Sequence, residues 1–286
     1  AAAAPFGDGG GLQEPPVVRL LGPECRTLTV GDGDLAFSAA LADSWGHARA
    51  RGLVATVYDL DTEVAKKYAA APGRISRLRE AGAEVRCGVD ATQLDPAVLG
   101  DGFDRIVFNF PQAPGSRDVI SNRMMLAKFL RGAMALLSKD GLVLVANKSV
   151  SPYTWWRLEV LHEFAGAGVE LLAEVPWART EYPSLYAGPC NVDRDAAVKA
   201  GDAVIFAYAH AGGARHLELP RVPEYSGPRH YHCRLCRIWP QKASDLRAHE
   251  TSRIHHRRAQ IEQQWDAAWA AAQQAGLDFA AAAQAS

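Results

Sequence analysis

Two thiols and two imidazoles in one short segment form the most specific chemical pattern in this chain. Cys233 and Cys236 stand as C-x2-C, twelve residues follow, and His249 and His255 close an H-x5-H pair. Two ligands on a knuckle and two on a helix can converge at tetrahedral geometry, which suits Zn2+. A segment this short buries too little apolar surface to fold without the metal. His256 is a spare imidazole that could replace His255 as ligand. The plainer alternative, two reduced surface cysteines beside a basic helix, leaves the fourfold spacing to chance.

A second constellation lies near the start of the chain. The run VGDGDLAFS, residues 30–38, follows a short apolar strand and opens a helix, and Gly31 and Gly33 let the backbone approach a ligand closely. Read as G-x-G-x-x-A, with Ala36 as its third member, it suits NAD as well as a methyl donor, and Asp59 after the second strand is placed for a ribose hydroxyl in either case. Asp32 and Asp34 separate the two. Carboxylates at a helix N-terminus repel a pyrophosphate, whereas S-adenosylmethionine carries a sulfonium and an ammonium. One of the two acids can instead simply cap the helix. GVDATQL places Asp90 and Ala91 at the adenine position, and FNFP places Asn109, Phe110 and Pro111 at a strand end facing the cofactor. Phe110 and Pro111 form an apolar turn that could stack a base, and the alternative for Asn109 is a buried amide that only satisfies loop backbone.

The elements that must hold these residues alternate. The apolar runs RTLTV, LVATVYD, AEVRCGV, FDRIVFNF and GLVLVANK are separated by helical segments from Ala36, near Glu63, near Pro96 and over residues 117–138, which predicts a mostly parallel sheet covered on both faces. After a helix around Trp156 to Ala167 come VELLAEVPW and AVIFAYAH, with little room for a crossover between them. A terminal antiparallel pair is implied, giving the seven-stranded, Rossmann-like α/β outline of S-adenosylmethionine-dependent methyltransferases. The expected units are a disordered tail over 1–16, this domain over 17–211, a linker over 212–228, a finger over 229–258, and a C-terminal helix and tail over 259–286. In that helix, Ile261, Trp265 and Trp269 at helical spacing predict a face packed on the main domain.

Charge is distributed unevenly. The net charge is −1, yet residues 229–258 carry eight Lys or Arg against two acids, so the finger is at +6 and the remainder at −7. Concentrated basic charge on a small module predicts contact with nucleic acid, the alternative being a solvated helix face. Cys25, Cys87 and Cys190 show no disulfide framework, no apolar run approaches a membrane span, and the expectation is an intracellular protein. The chain begins at Ala1, so targeting information can precede it.

TVGDGDLAFSAAL, GVDATQL, FDRIVFNFP, the run Ile120 to Asn122, the K-x3-PY-x2-W of Lys148 to Trp156 and the Tyr-Pro cluster from Tyr182 together resemble the eukaryotic 25S ribosomal RNA uridine-N3 methyltransferase-like family, over roughly residues 25–210. The resemblance implies S-adenosylmethionine as donor, N3 of a large-subunit rRNA uridine as acceptor, and a nuclear or nucleolar location. Gln112 stands where the family usually has His, and an amide does not titrate; Ser184 stands where a Gly usually follows Tyr-Pro. The finger is similar to matrin-type and double-stranded-RNA-binding fingers through Trp239, Leu246 and the long His spacing. Methylating an imide nitrogen requires the base to be unpaired and its proton removed. Asn109 with the backbone of Phe110 and Pro111 would orient the base, and Lys148 and Tyr153 would stabilise the anion. Structured RNA would be gripped by the finger through Arg253, Arg257 and Arg258. Protein binding by the finger, a non-catalytic RNA-binding protein with a degenerate methyltransferase domain, and a dehydrogenase are the competing readings.

Overall fold

The computed structural model describes residues 17–46, 50–114, 118–186, 188, 190–191, 196–197, 200–215, 217–219, 231–238, 240 and 242–275. The expected tail at 1–16, most of the expected linker, Trp239 and residues 276–286 lie outside the described residues.

Seven short runs rich in Val, Ile, Leu and Thr form one sheet: β1 Thr27–Val30, β2 Leu53–Thr56, β3 Glu84–Arg86, β4 Phe103–Asn109, β5 Leu137–Lys148, β6 Val169–Pro176 and β7 Ala203–His210. Their spatial order is β3-β2-β1-β4-β5-β7-β6. β1 to β5 pair in parallel, and β7 inserts antiparallel between β5 and β6. The strand order reverses beside β1, which opens a crevice at the carboxyl ends of β1 and β4.

Helices cover both faces: α1 Ala36–Trp45, α2 Asp61–Lys67, α3 Ala71–Glu80, α4 Pro96–Leu99, α5 Val119–Leu136, α6 His162–Ala165 and α7 Tyr182–Leu185, followed by α8 Ala243–Glu250 and α9 Arg253–Gln274. Local chemistry sets several of the starts. Asp95 accepts from Ala97 N at 2.8 Å with Pro96 at the first helical position, Asp118 accepts from Ser121 N at 2.8 Å, and Ser252 accepts from His255 N at 3.2 Å. One core lies between the sheet and α1, α3 and α7, around Phe37, Leu78, Trp177 and Tyr182. The other lies under α5, around Phe129, Leu130 and Trp156, and it takes in Trp265 of α9.

Several boundaries differ from the sequence expectation. β2 and β3 end earlier than their apolar runs, so Asp59 and Asp90 sit on loops beyond the last paired residues. The helix expected from Trp156 to Ala167 is broken into 3-10 turns and α6, because Arg157 takes a left-handed φ of 54°. The expected linker starts inside the domain: Ala214 is buried, and Leu217 and Leu219 pack on the same core. The expected division between residues 258 and 259 falls within α9, which carries a metal-ligand candidate near one end and the packing tryptophans further on.

Candidate active site

A cleft of about 1250 Å³ opens at the carboxyl ends of the parallel strands. Gly31 forms its floor with φ +61°, and a Cβ there would lie 2.8 Å from Cε2 of Phe108, so both backbone angle and space require glycine. Gly33, Asp32, Asp34, Asp59, Asp90, Ala91, Asn109, Phe110, Pro111, Lys148 and Tyr153 all line this cleft, so the structure brings the predicted cofactor and catalytic residues together.

The acids do not point freely at it. Asp32 accepts from Ser38 N at 2.7 Å and Ser38 Oγ at 2.6 Å, so it is the cap of α1 that the sequence left open. Burial pushes its carboxyl up to about 6, with the Ser38 hydrogen bonds pulling the other way. Asp34 pairs with Arg74 of α3, which also donates to its carbonyl at 3.0 Å. Asp59 takes Lys67 Nζ at 2.9 and 3.0 Å. Asp90 accepts from Thr92 N and Thr92 Oγ1, both at 2.8 Å, which folds the turn after β3. Asp32 thus takes the capping role that the sequence allowed to one of the two acids, and Asp34 shares its charge with Arg74 from α3; both line the cleft.

The loop after β4 is held firmly. Asn109 ends the strand with its Oδ1 buried and without a hydrogen-bond partner. Phe110 follows with φ 51°, an angle uncommon outside glycine. Its N–H donates to Ala146 O at 2.8 Å, and its ring packs on Trp177 at 5.2 Å. Phe110 is half-buried, with its ring against Trp177, and both it and Pro111 line the cleft. Asn122 of α5, fully buried, accepts from Ala113 N at 2.8 Å and donates to Asp118 O at 2.7 Å, fixing the loop to the helix. On the opposite wall, Lys148 Nζ lies 5.8 Å from the centroid of the Tyr153 ring, which meets Trp156 edge-on at 5.2 Å.

Sequence reasoning missed the cleft residues Tyr58, Lys128, Asn147 and Tyr186. Asn147, at the end of β5, could have been found by the same strand-end argument that found Asn109.

The second constellation also assembles. The ligand atoms of Cys233, Cys236, His249 and His255 all lie within 4.8 Å of one another. His255 Nδ1 is 3.6 Å from Cys233 Sγ, 3.8 Å from Cys236 Sγ and 3.2 Å from His249 Nε2. Ligand bonds of about 2.3 Å to sulfur and about 2.0 Å to nitrogen give tetrahedral edges of roughly 3.3–3.8 Å, which the three His255 distances match, and the whole set closes within 4.8 Å. Cys236 N donates to Cys233 Sγ at 3.4 Å, the kind of supporting contact that orients a thiolate ligand. His256 is not part of this cluster. All four positions are protein donors, which describes a closed, structural site.

This module is fastened to the sheet domain. Trp265 is fully buried, with the Arg123 guanidinium 4.4 Å over its ring and Phe164 edge-on at 5.1 Å. Arg123, itself 1% exposed, pairs with Glu262 at 2.9 Å. Arg237 pairs with Glu174 at 3.0 Å. Arg258 donates to Leu235 O in the knuckle and to Thr154 Oγ1 beside Tyr153. Arg258, half-buried, thus ties the knuckle to the sheet domain, while Arg253 is exposed. Arg257 is also exposed, with its guanidinium 5.2 Å from the centroid of the Trp155 ring.

Among known proteins, an uncharacterized protein of Arabidopsis thaliana, At4g26485, is 30% identical over 168 residues, 55% of this chain and 78% of that one. The ferredoxin-fold anticodon-binding domain-containing protein 1 homolog of Mus musculus is 40% identical over 118 residues, 41% of this chain and 18% of that one, so this chain spans under a fifth of it. The solved structure of TrmN from Thermus thermophilus aligns with 18% identity and a TM-score of 0.40 over 68% of this chain and 44% of that one. Among the described residues, no helix is long and apolar enough to cross a membrane. The family described as BMT5-like, rRNA (uridine-N3-)-methyltransferase BTM5-like, matches residues 28–187. That match spans more than half of the chain and every residue lining the cleft, and the chain belongs to this family of rRNA methyltransferases.

Proposed function

We propose that this protein transfers a methyl group from S-adenosylmethionine to N3 of a uridine in large-subunit ribosomal RNA, in the nucleolus, with a zinc-loaded finger holding structured RNA beside the cleft. The observation that supports it is the coincidence of cleft and family: the lining residues run from Thr29 to Tyr186, inside the matched span 28–187. The sequence resemblance carries the choice of uridine N3.

S-adenosylmethionine, when bound, supplies an electrophilic methyl on a sulfonium. The chain's residues bind and orient. Asp59, on the loop after β2, is placed for ribose hydroxyls, and Asp90 and Ala91 for the adenine. Asn109 Oδ1, buried and unpartnered, requires a donor from the ligand. A uracil imide N–H meets that need as the base docks. Lys148 holds positive charge near Tyr153, on the wall where a base losing its proton would gain negative charge. Each acid lining the cleft already accepts from a neighbour, and Gln112 does not titrate. The proton therefore leaves to water, and the protein's contribution is to position the base and stabilise its anion. Cys233, Cys236, His249 and His255 would hold Zn2+ with four protein donors, and the metal would serve folding.

Calorimetric titration with S-adenosylmethionine and nucleoside mass spectrometry of in vitro transcribed large-subunit rRNA test this reading. Cofactor binding that weakens in Asp90→Ala, together with 3-methyluridine on the transcript, is expected. A cofactor-bound protein that forms no 3-methyluridine on any rRNA transcript would sink it in favour of a non-catalytic RNA-binding role.

A further inference from the structure

Asn147 is the penultimate residue of β5 and is 2% exposed. Its Oδ1 accepts from Lys148 N at 2.9 Å. A backbone N–H can only donate, so the amide oxygen is the bonded atom and the orientation of the side chain is fixed. Nδ2 is then left buried without a partner, in a residue that lines the cleft. Its neighbour Ala146 is in register with Asn109, the residue whose Oδ1 is likewise unpartnered. Strand alternation turns Asn109, with Val107, to the α1 side of the sheet and Asn147, with Val145, to the α5 side, so one unmatched acceptor and one unmatched donor border the cleft at adjacent strand ends from opposite faces. Native structures satisfy nearly all buried polar atoms, so unpartnered atoms on residues that line the cleft, Asn109 Oδ1, Asn147 Nδ2 and Trp156 Nε1, point to a ligand carrying complementary groups.

We infer that Asn147 contacts the substrate directly, donating from Nδ2 to the carbonyl oxygen beside the nitrogen that is methylated. The inference rests on the uridine reading above. An N–H flanked by a carbonyl is the complement of the Asn109 acceptor and the Asn147 donor, and cytosine has no N–H at that nitrogen. The two bonds have different fates. The hydrogen bond to Asn109 Oδ1 must break as the nitrogen gives up its proton to solvent and turns its electron pair to the incoming methyl. The bond from Asn147 strengthens at the same moment, because the negative charge spreads onto the carbonyl oxygen. Asn147 therefore acts on turnover more than on binding, and it selects an imide edge over an amidine edge.

The test uses the full zinc-loaded chain, S-adenosylmethionine and unmodified large-subunit rRNA transcript. Asn147→Asp keeps an oxygen for the Lys148 N–H at nearly unchanged volume but buries a carboxyl, which donates only while protonated, so its rate is read across pH and beside Asn147→Ala, which removes the donor without adding charge. The expected result for both variants is a kcat lowered about 10²–10³-fold with cofactor affinity close to wild type, and for Asn147→Asp a lower melting temperature from the buried carboxyl. For Asn147→Ala, the rate should recover partly as pH rises, since a more basic solution replaces the lost anion stabilisation. Asn147→Asp with wild-type kcat, or Asn147→Ala with an unchanged pH profile, overturns the inference alone. A wild-type protein that makes no 3-methyluridine overturns the uridine reading and this inference together.

Discussion

Replacing Trp265 with alanine should undock α9, and with it the metal-binding module, from the sheet domain. A fully buried tryptophan removes about 150–250 Å² from water, worth roughly 4–6 kcal/mol at ~25 cal/mol/Å², and tryptophan-to-alanine changes in cores cost about 3–5 kcal/mol. The Arg123 guanidinium over the ring at 4.4 Å adds about 1–2 kcal/mol in a dry site. Against this, Trp265 Nε1 is buried without a partner, and removing it relieves roughly 1–2 kcal/mol. The two corrections nearly cancel, leaving a loss of about 4 kcal/mol for the docked state. The Arg123–Glu262 pair does not compensate, because Arg123 is buried and its own charge is disfavoured there by desolvation. Hydrogen exchange of the zinc-loaded protein should show α9 amides losing protection while β4 and β5 keep theirs. Trp265→Phe should restore about half of the loss. If α9 stays as protected as in wild type and the urea midpoint moves by less than about 1 kcal/mol, the docking account is wrong.

Three other perturbations have defined outcomes. Gly31→Ala forces an L-residue to φ +61° and a methyl 2.8 Å from buried Phe108, so we expect about 2–4 kcal/mol lower stability and weakened cofactor binding, read by melting and calorimetry. Asp32 has its folded-state carboxyl raised to about 6. Between about pH 4 and 6 the folded state then binds the extra proton, and this residue's contribution falls as pH rises through that window, by at most roughly 3 kcal/mol. Asp32→Asn should remove that decline, and stability curves of wild type and variant that stay parallel from pH 4 to 6 would contradict the burial argument. Chelating the metal should melt α8 and the start of α9 and abolish RNA binding. Cofactor affinity would fall less, and circular dichroism with parallel titrations measures both.

The strand-end residues were legible because a parallel sheet puts every carboxyl end on one edge, so Gly31, Asp59, Asp90 and Asn109 needed only correct strands to meet. The metal cluster was legible from spacing alone. What the sequence could not show was which partner each group takes. Arg74, on a helix far along the chain, claims Asp34, and Lys67 claims Asp59; charge patterns name the ions but not the pairs. Phe110 reads as part of an apolar turn beside the cleft, and nothing in the sequence signals that Trp177, from beyond β6, packs against its ring. The helical spacing of Trp265 and Trp269 predicted a packed face correctly. It said nothing of Arg123 as the lid on that face, since periodicity reports where apolar area lies and not what lies opposite.

The unbroken course of α9 has a consequence for substrate choice. His255, in the metal cluster, and Trp265, anchored under Arg123, lie on one helix about 15 Å apart at 1.5 Å per residue. The module therefore cannot swing to meet its target. On the proposed function, a nucleic acid held by the module's exposed arginines would present its bases to the cleft at a fixed offset, and the molecule would measure the separation between a helical stem and an unpaired base. Selection by separation would let one site on a long RNA be chosen with few contacts to the sequence around it.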